Sequence, residues 1–185
     1  MILTDREIQT FLANRQISIK PEPDAVLYSS TSVDLTLAKQ LRVWSFDQIE
    51  KSKGEIITLG PKFKYAEFRD KYTKRMNIPP SKGYILAPEA FVLAWTHETI
   101  NLPNHSKVAA RVEGKSSLAR LGLAVHVTAP TIHAGFKGPI QLELCNHGLF
   151  SIRLIPGMPI CQLIFEMTFG TPEKGYSGKF LRQKK

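Results

Sequence analysis

Short runs in which apolar and polar residues alternate recur along most of this 185-residue chain. The clearest begins at Ser32, where Val33, Leu35 and Leu37 alternate with other side chains, as on the two faces of a strand. Further predicted strands lie at 55–59, 83–86, 91–96, 107–112, 124–127, 139–145, 151–154 and 160–165. Gly, Pro and Asn separate the runs. The pattern predicts a mainly β fold, a sandwich or barrel with a few short helices.

The amino end predicts one of those helices. Thr4 begins the sequence TDRE, in which Thr4 and Glu7 could cap each other's backbone, and Leu3 with Ile8 fits a hydrophobic staple. The helix is expected to end near Asn14, before a strand-like segment that begins at Ile17.

Residues 61–81 interrupt the strand rhythm with six basic residues against two acidic ones. We interpret them as a basic insertion, either a solvated loop or helix or a nucleic-acid contact. No second domain boundary is evident, so residues 1–185 are predicted to form a single domain, and residues 171–185 a mobile tail.

Composition suits one soluble domain with a real core, since 43% of residues are hydrophobic and 22% charged. The chain lacks both a long apolar run and an apolar leader, so we predict a cytoplasmic protein with no membrane partner. The formal charge of +9 favours polyanions, including nucleic acid and nucleoside triphosphates. Two cysteines, Cys145 and Cys161, are too few for a disulfide framework.

The sequence GKSS at 114–117 follows a predicted strand and precedes one predicted helical turn. Glycine permits close backbone approach, Ser116 and Ser117 add hydroxyl donors, and Lys115 adds positive charge, so a phosphate fits there. The same four residues also read as an ordinary helix cap, because the full P-loop pattern is absent.

Two further residues extend this candidate site. Arg120 lies four residues after Ser116, which places both side chains on one face of a helical turn. On the strand that follows, Glu143 points away from the apolar residues Ile140, Leu142 and Leu144, and therefore towards either solvent or a site.

Taken in order, GKSSLARLGL, the HVTA of 126–129, AGFKG and the strand QLE resemble the central motifs of the dCTP deaminases, relatives of the trimeric dUTPases. The resemblance continues through SVDL near the amino end, LIPGMPICQLIFE and the GKF of the tail. It implies a distorted dUTPase-type β-barrel or jelly roll, assembled as a homotrimer with active sites between subunits. It makes a nucleic-acid partner improbable.

The reaction that the resemblance implies is hydrolytic deamination of dCTP to dUTP and ammonia, with dUTP or dTTP as further nucleotide ligands. Glu143 would act as general acid and base, while Ser116, Arg120 and the Ala129 carbonyl hold the water and the pyrimidine. His126 would lie near that water, or serve as a buried structural histidine. We expect a raised pKa at Glu143, because it must replace metal activation.

The implied substrate-binding residues lie in three groups along the sequence. They are Lys115, Ser116, Ser117, Leu118, Ala119 and Arg120; His133, Gln141, Leu142 and Glu143; and Gln162, Tyr176, Lys179 and Gln183.

Metal chemistry is expected only with the substrate. The HxE and PCxxC pattern of zinc deaminases is absent, so no zinc is predicted. Mg²⁺ is expected to arrive with the triphosphate and not at a protein-held metal site.

Two residues give opposite indications about the product. His133 stands where many relatives have an aspartate that binds the deoxyribose hydroxyl and, in dUTPases, helps to activate water. Gln162 is typical of dUTPases and of the bifunctional, dUMP-forming deaminases. We favour release of dUTP; a bifunctional deaminase and diphosphatase or a dUTPase is the alternative. A non-catalytic nucleotide-binding protein is the third, against which the presence of Glu143, Ser116 and Arg120 argues.

Overall fold

The computed structural model describes residues 1–173, and the core is built mostly from strands. The helices are α1 (Asp5–Ala13), α2 (Phe46–Lys51), α3 (Tyr65–Tyr72) and α4 (Ser116–Ala119). The strands are β1 (Ser18–Lys20), β2 (Tyr28–Ser29), β3 (Ser32–Trp44), β4 (Thr73–Asn77), β5 (Tyr84–Leu86), β6 (Phe91–Asn101), β7 (Val108–Gly114), β8 (Leu123–Ala124), β9 (Thr131–Ile132), β10 (Lys137–Asn146), β11 (Ile152–Leu154) and β12 (Pro159–Met167). The prediction of a mainly β fold with short helices is confirmed.

Within residues 1–173, ten strands join one antiparallel sheet in the order β8-β10-β6-β3-β12-β7-β9. Strand β1 pairs with β6, and both β2 and β4 pair with β3. Strands β5 and β11 form a separate pair. The long strand β3 pairs with β12 through its first half and with β6 and β4 through its second, so it links the two halves of the sheet.

Apolar residues from the alternating runs form the core, as predicted. Val33, Leu35, Leu142 and Leu163 are fully buried in one continuous apolar cluster. Burial of this kind is worth about 25 cal/mol per Å² of apolar surface removed from water. Leu3 and Ile8 also join the core, which anchors α1 to the sheet.

The helix α1 forms where it was expected, but its cap differs. The Thr4 hydroxyl donates to the Glu7 carboxylate, and the Thr4 side chain makes no capping bond to the backbone. The half of the predicted box in which Thr4 accepts from the Glu7 amide is therefore wrong, whereas the Glu7 carboxylate does reach back to the Thr4 backbone.

A buried carboxylate lies next to the point where the pairing of β3 with β6 shifts register, between Leu37 and Leu41. Glu98 of β6 is 3% exposed and accepts hydrogen bonds from the Thr36 backbone N–H (2.9 Å) and the Thr36 hydroxyl (2.7 Å). The Thr36 amide is thereby satisfied by a side chain, as a buried amide must be.

The strand predicted at 55–59 is wrong. The segment is an irregular loop between α2 and α3, and Ile56 and Leu59 are 88% and 77% exposed. Its apolar residues have no partner strand within the described chain, and without one β-propensity does not form a strand.

Residues 61–81 contain both α3 and β4, and β4 extends the sheet by pairing Thr73–Asn77 with the end of β3. Tyr72, Thr73 and Ile78 are buried. The sequence pattern missed this order because β4 carries basic residues where alternation was sought.

Candidate active site

A cavity of about 500 Å³ opens on the outer face of the sheet. Its walls come from β3, β6, β7 and β10, from the first residue of α3, and from the segment between β8 and β10. The lining residues are Trp44, Tyr65, Phe91, Leu93, Val112, His126, Ala129, Thr131, Ile132, His133, Phe136, Ile140, Gln141 and Glu143. Most are apolar, as in small-molecule sites that use a few polar groups for orientation.

Strand register explains why these residues meet. Glu143 of β10 is paired with Leu93 of β6, which is paired in turn with Arg42 of β3. Directly opposed residues project from the same face of a sheet. Two residues along each strand, Phe91 and Trp44 share that face. Glu143 therefore points away from the core, as its position in the alternation predicted.

The Glu143 carboxyl is half-buried in the cavity and accepts a weak hydrogen bond. The Val127 N–H donates to its Oε2 over 3.4 Å, a long contact, while the Glu143 backbone N–H donates to the Val125 carbonyl over 3.1 Å. Burial raises the pKa of the Glu143 carboxyl; the Val127 N–H and nearby His126 lower it by less. The raised pKa expected from the sequence is found.

Three buried nitrogen atoms in the cavity wall have no hydrogen-bond partner among residues 1–173. They belong to the Trp44 indole (Nε1), the Gln141 amide (Nε2) and the His126 ring (Nδ1). Leaving such a group unpaired costs roughly 1–3 kcal/mol, so these atoms fit a site whose occupant supplies the partners.

The cavity brings together five of the residues predicted from the sequence. His126, Ala129, His133, Gln141 and Glu143 all line it. Leu142 does not, since its side chain is fully buried in the core, and only its backbone is available there.

A second polar cluster joins β3, β7 and β12. Lys115, just after β7, forms an ion pair with buried Asp34, and the Gln162 amide lies 3.4 Å from both the Asp34 carboxylate and the Ser32 hydroxyl. Strand pairing places Gln162 opposite Asp34. Lys115 and Gln162, predicted separately from the sequence, are therefore neighbours.

The remaining residues of the GKSS segment lie on the exposed turn α4. Ser116, Ser117, Ala119 and Arg120 are exposed, and none of them lines the cavity; Leu118 packs against the core. Within one chain the structure does not bring Ser116 and Arg120 to Glu143. Tyr176, Lys179 and Gln183 lie outside the described residues.

Sequence reasoning missed the aromatic part of the cavity and the partner of Lys115. Trp44 could have been found by extending the β3 alternation to its last residue. Tyr65 carried no signal, because it belongs to a segment read as an insertion. Asp34 was visible as a carboxylate within the apolar run SVDL.

The basic character of residues 61–81 is partly neutralised in the fold. Lys64 lies 2.9 Å from Glu67, Lys71 lies 3.5 Å from Glu55, and Arg69 binds Asp70. These pairs involve three of the six basic residues, and the other three are exposed, so the segment keeps a positive surface.

Within residues 1–173 no set of three or more His, Cys, Asp or Glu side chains is arranged to hold a metal ion. In that same part of the chain, every helix is too short or too polar to span a bilayer.

Comparison with known proteins identifies the family. Residues 2–168 match the family model described as dCTP deaminase-like. The dUMP-forming dCTP deaminase of Beutenbergia cavernae is 39% identical, over 95% of this chain and 84% of its own. The dCTP deaminase of Pseudoalteromonas atlantica is 37% identical, over 97% of this chain and 87% of its own. The chain therefore belongs to the dCTP deaminase-like family, as its motifs indicated.

Solved structures agree on the fold. The 2′-deoxycytidine 5′-triphosphate deaminase of Agrobacterium tumefaciens superposes with a TM-score of 0.67 at 22% identity, over 90% of this chain. This chain spans about half, 48%, of that protein. The dUTPase of Staphylococcus bacteriophage 80alpha gives a TM-score of 0.51 at 12% identity, over 89% of this chain and 97% of its own. The predicted dUTPase-like β fold is confirmed.

Proposed function

We propose that this protein deaminates dCTP hydrolytically, releasing dUTP and ammonia, with Glu143 as the general acid and base. A water oxygen bonds to cytosine C4 while Glu143 takes one of the water protons and delivers it to N3. The second water proton passes through the same carboxyl to the amino group. The C4–N bond then breaks, and ammonia leaves.

The half-buried position of Glu143 is the observation that carries this proposal. A carboxyl surrounded by Leu93, Phe91 and other apolar groups, with its pKa raised by burial, can hold and release a proton nearer to neutrality than a solvated glutamate. The Val127 N–H orients the carboxylate without neutralising it.

The rest of the cavity supplies polar groups for a nucleoside. The unpaired Gln141 amide and the His126 ring can bond the base and the water, and the Ala129 carbonyl can accept from that water. His133 can bond a deoxyribose hydroxyl through either ring nitrogen. Family resemblance suggests these roles, and the positions of the residues in one cavity support them.

We propose further that a partner subunit completes the site. Glu143 lies in a cavity, whereas Ser116 and Arg120 stand on an exposed turn of the same chain and do not line that cavity. In a homotrimer, the α4 turn of one subunit would enter the cavity of the next. This assignment accounts for an arginine and two serines left exposed beside a glycine-containing turn.

The triphosphate would contact Lys115, Ser116 and Ser117 together with tail residues Lys179 and Gln183. Mg²⁺ would come with the nucleotide, because phosphate oxygens can supply most of its ligands. Asp34 is a single carboxylate already bound to Lys115, which fits a metal held chiefly by its substrate.

A bifunctional, dUMP-forming enzyme is the second candidate. It is favoured by Gln162, which lies beside Asp34 and Lys115, and by the dUMP-forming name of the Beutenbergia relative. It is opposed by His133, which replaces the carboxylate that assists water attack on a phosphate.

Incubation with dCTP and Mg²⁺, followed by separation of dUTP, dUMP, diphosphate and ammonia, distinguishes these functions. We expect dUTP and ammonia in equal amounts. Formation of dUMP with diphosphate would assign the bifunctional class, hydrolysis of dUTP without deamination would assign a dUTPase, and unchanged dCTP that still binds would assign a binding protein.

Mixing two inactive variants tests the shared site. Glu143→Gln and Arg120→Ala are each expected to be inactive, but subunits exchanged between them should form some sites with intact Glu143 and intact Arg120. Recovered deamination would support a site built from two chains. A mixture that exchanges subunits and stays inactive would contradict it.

A further inference from the structure

The helix α3 covers the outer face of the sheet beside Glu143. A buried guanidinium holds it there: Arg42 of β3 donates to the Thr73 hydroxyl over 2.9 Å and pairs with Asp70 over 2.8 Å. The Thr73 hydroxyl donates in turn to the Arg69 carbonyl over 2.6 Å. Arg42 is 4% exposed, so removing Asp70 would leave a buried charge uncompensated, and removing the Thr73 hydroxyl would leave a buried N–H group without that acceptor.

Aromatic rings fill the space between α3 and the sheet. Trp44 stacks on Phe91 at 6.2 Å and meets Phe68 of α3 at 6.4 Å. Phe68 contacts Tyr72 at 4.7 Å and Phe63 at 5.5 Å. Trp44 is therefore fixed from both sides, and its ring forms part of the cavity wall.

Tyr65, the first residue of α3, completes this wall. It lines the same cavity as Glu143, and the guanidinium of Arg69 lies 5.8 Å from the centre of its ring. Burial raises the pKa of the Tyr65 hydroxyl; nearby Arg69 lowers it and the Glu143 carboxylate raises it further. The Glu143 carboxylate is thus close enough to affect the ionisation of Tyr65.

We propose that Trp44 and Tyr65 form an aromatic roof over the Glu143 end of the cavity, which excludes water from the carboxylate and donates one hydrogen bond, from the Trp44 indole N–H, to the molecule bound beneath it. The unpaired Nε1 atom supports the second part, because a buried indole N–H without a partner is costly unless an occupant accepts from it. This inference rests on the proposed deamination. Tyr65 acts as a positioning residue for Glu143, whereas Trp44 contacts the nucleotide directly.

Several other groups at this end of the cavity carry charge or can titrate, and they stay unchanged in the variants below. They are His126 and His133 from the segment between β8 and β10, Arg69 and Asp70 from α3, Arg42 from β3, and Cys145 from β10.

The test compares pH profiles of kcat/KM for dCTP deamination. Tyr65→Ala admits water, which lowers the pKa of Glu143, so the acid limb should move to lower pH while kcat falls about tenfold, the effect of one 1.4 kcal/mol change. Tyr65→Phe keeps the ring and should keep the acid limb of the wild type. Phe63→Ala is the matched control, because Phe63 packs in the same aromatic cluster but does not line the cavity.

Titration of the nucleotide itself is common to all these proteins and cancels in the comparison. If the acid limb of the kcat/KM profile lies at the same pH in Tyr65→Ala and Phe63→Ala, the proposed aromatic roof is wrong. If Tyr65→Ala fails to fold, Tyr65→Gln removes the ring but fills more of the space than alanine, and it brings a polar group to the carboxylate. It should shift the acid limb in the same direction, and an unshifted acid limb would also overturn the roof.

The indole hydrogen bond has a separate readout. The chain contains two tryptophans, Trp44 and Trp95, and Trp95 does not line the cavity. In Glu143→Gln, which prevents turnover, dCTP should change the fluorescence of Trp95→Phe, where Trp44 remains, and leave that of Trp44→Phe unchanged. Trp44→Phe in the active protein should raise KM about tenfold with kcat within about twofold. If Trp44→Phe and the wild type have equal KM values, the Trp44 indole does not donate a hydrogen bond to the nucleotide.

The failure of this inference is distinguishable from the failure of the proposed function. If the wild type does not release ammonia from dCTP, the function itself is wrong. If the wild type is active and the variants behave as their controls, only the roof is wrong.

Discussion

One chain builds the two ends of the candidate site to different degrees. The Glu143 end is built on adjacent strands, with Leu93 and Phe91 fixed by register and a helix packed over them. The GKSS end exposes Ser116 and Arg120, and its lysine is held by Asp34. Pre-organisation therefore lies at the end to which we assign proton transfer, where small misplacements would cost the most. In our proposal, the nucleotide and a second subunit complete the phosphate end.

The largest expected effect is at the pre-organised end. Glu143→Gln should lower kcat by about 10²–10⁴-fold, the range for loss of a general acid–base group, while dCTP binding measured by calorimetry stays within a few-fold. Substantial remaining turnover would show that another group moves the proton, and would remove the asymmetry between the two ends.

The phosphate end should respond through binding and not through chemistry. Lys115→Gln removes one positive charge from the Asp34 cluster and should raise KM about tenfold, or 1.4 kcal/mol, with kcat nearly unchanged. Lys74→Gln, an equal charge change on the exposed strand β4, is the control and should have little effect. A fall in kcat with constant KM would show that Lys115 acts on the reaction itself.

Removal of residues 179–185 should also weaken binding, by several-fold, because it takes away Lys179 and Gln183. The melting temperature should not change, since the core runs from Leu3 to Phe165. A control deletion of residues 184–185 removes two lysines and keeps both assigned residues. Loss of melting temperature in the longer deletion would mean that the tail stabilises the fold.

His133→Asp tests whether the cavity also decides the product. Restoring the carboxylate should increase the dUMP fraction formed from dCTP by a few-fold, measured by nucleotide chromatography. His105→Asp, a change of the same type in an exposed turn that does not line the cavity, should leave the fraction unchanged. If the dUMP fraction is unchanged in both variants, His133 does not determine which product is formed.

The smallest expected effect is on stability and follows from the raised pKa of Glu143. The folded protein binds this proton more tightly than the unfolded chain, so Glu143 destabilises the fold as pH rises from the ordinary value of 4.5 through its folded pKa. Glu143→Gln should therefore be slightly more stable than the wild type at pH 7. Below pH 4.5 the difference should vanish; denaturant unfolding at both pH values measures it.

The sequence predicted what depends on local pattern. Alternation around Leu142 and Leu144 was sufficient to place Glu143 on the outer face, and the motif order was sufficient for the family. It could not predict contacts between distant segments. Lys115 meets Asp34 across 81 positions. Tyr65 reaches the cavity because α3 is held on the sheet by the Arg42–Asp70 pair and by packing of Phe68 on Trp44. The apolar run at 55–59 was predicted to be a strand but forms a loop, since a strand needs a partner that no local pattern reveals.

Glu98 performs none of the proposed chemistry, yet the alignment of the site depends on it. By binding the Thr36 amide and hydroxyl, it holds β3 in place where the strand shifts against β6, and further along this pair of strands Arg42 lies opposite Leu93. A slip of one residue would turn Trp44 and Arg42 towards the core and release α3 from the sheet. The Glu98 carboxylate beside the shift thus fixes the strand register on which the position of Glu143 depends. A family survey could look for the two changing together.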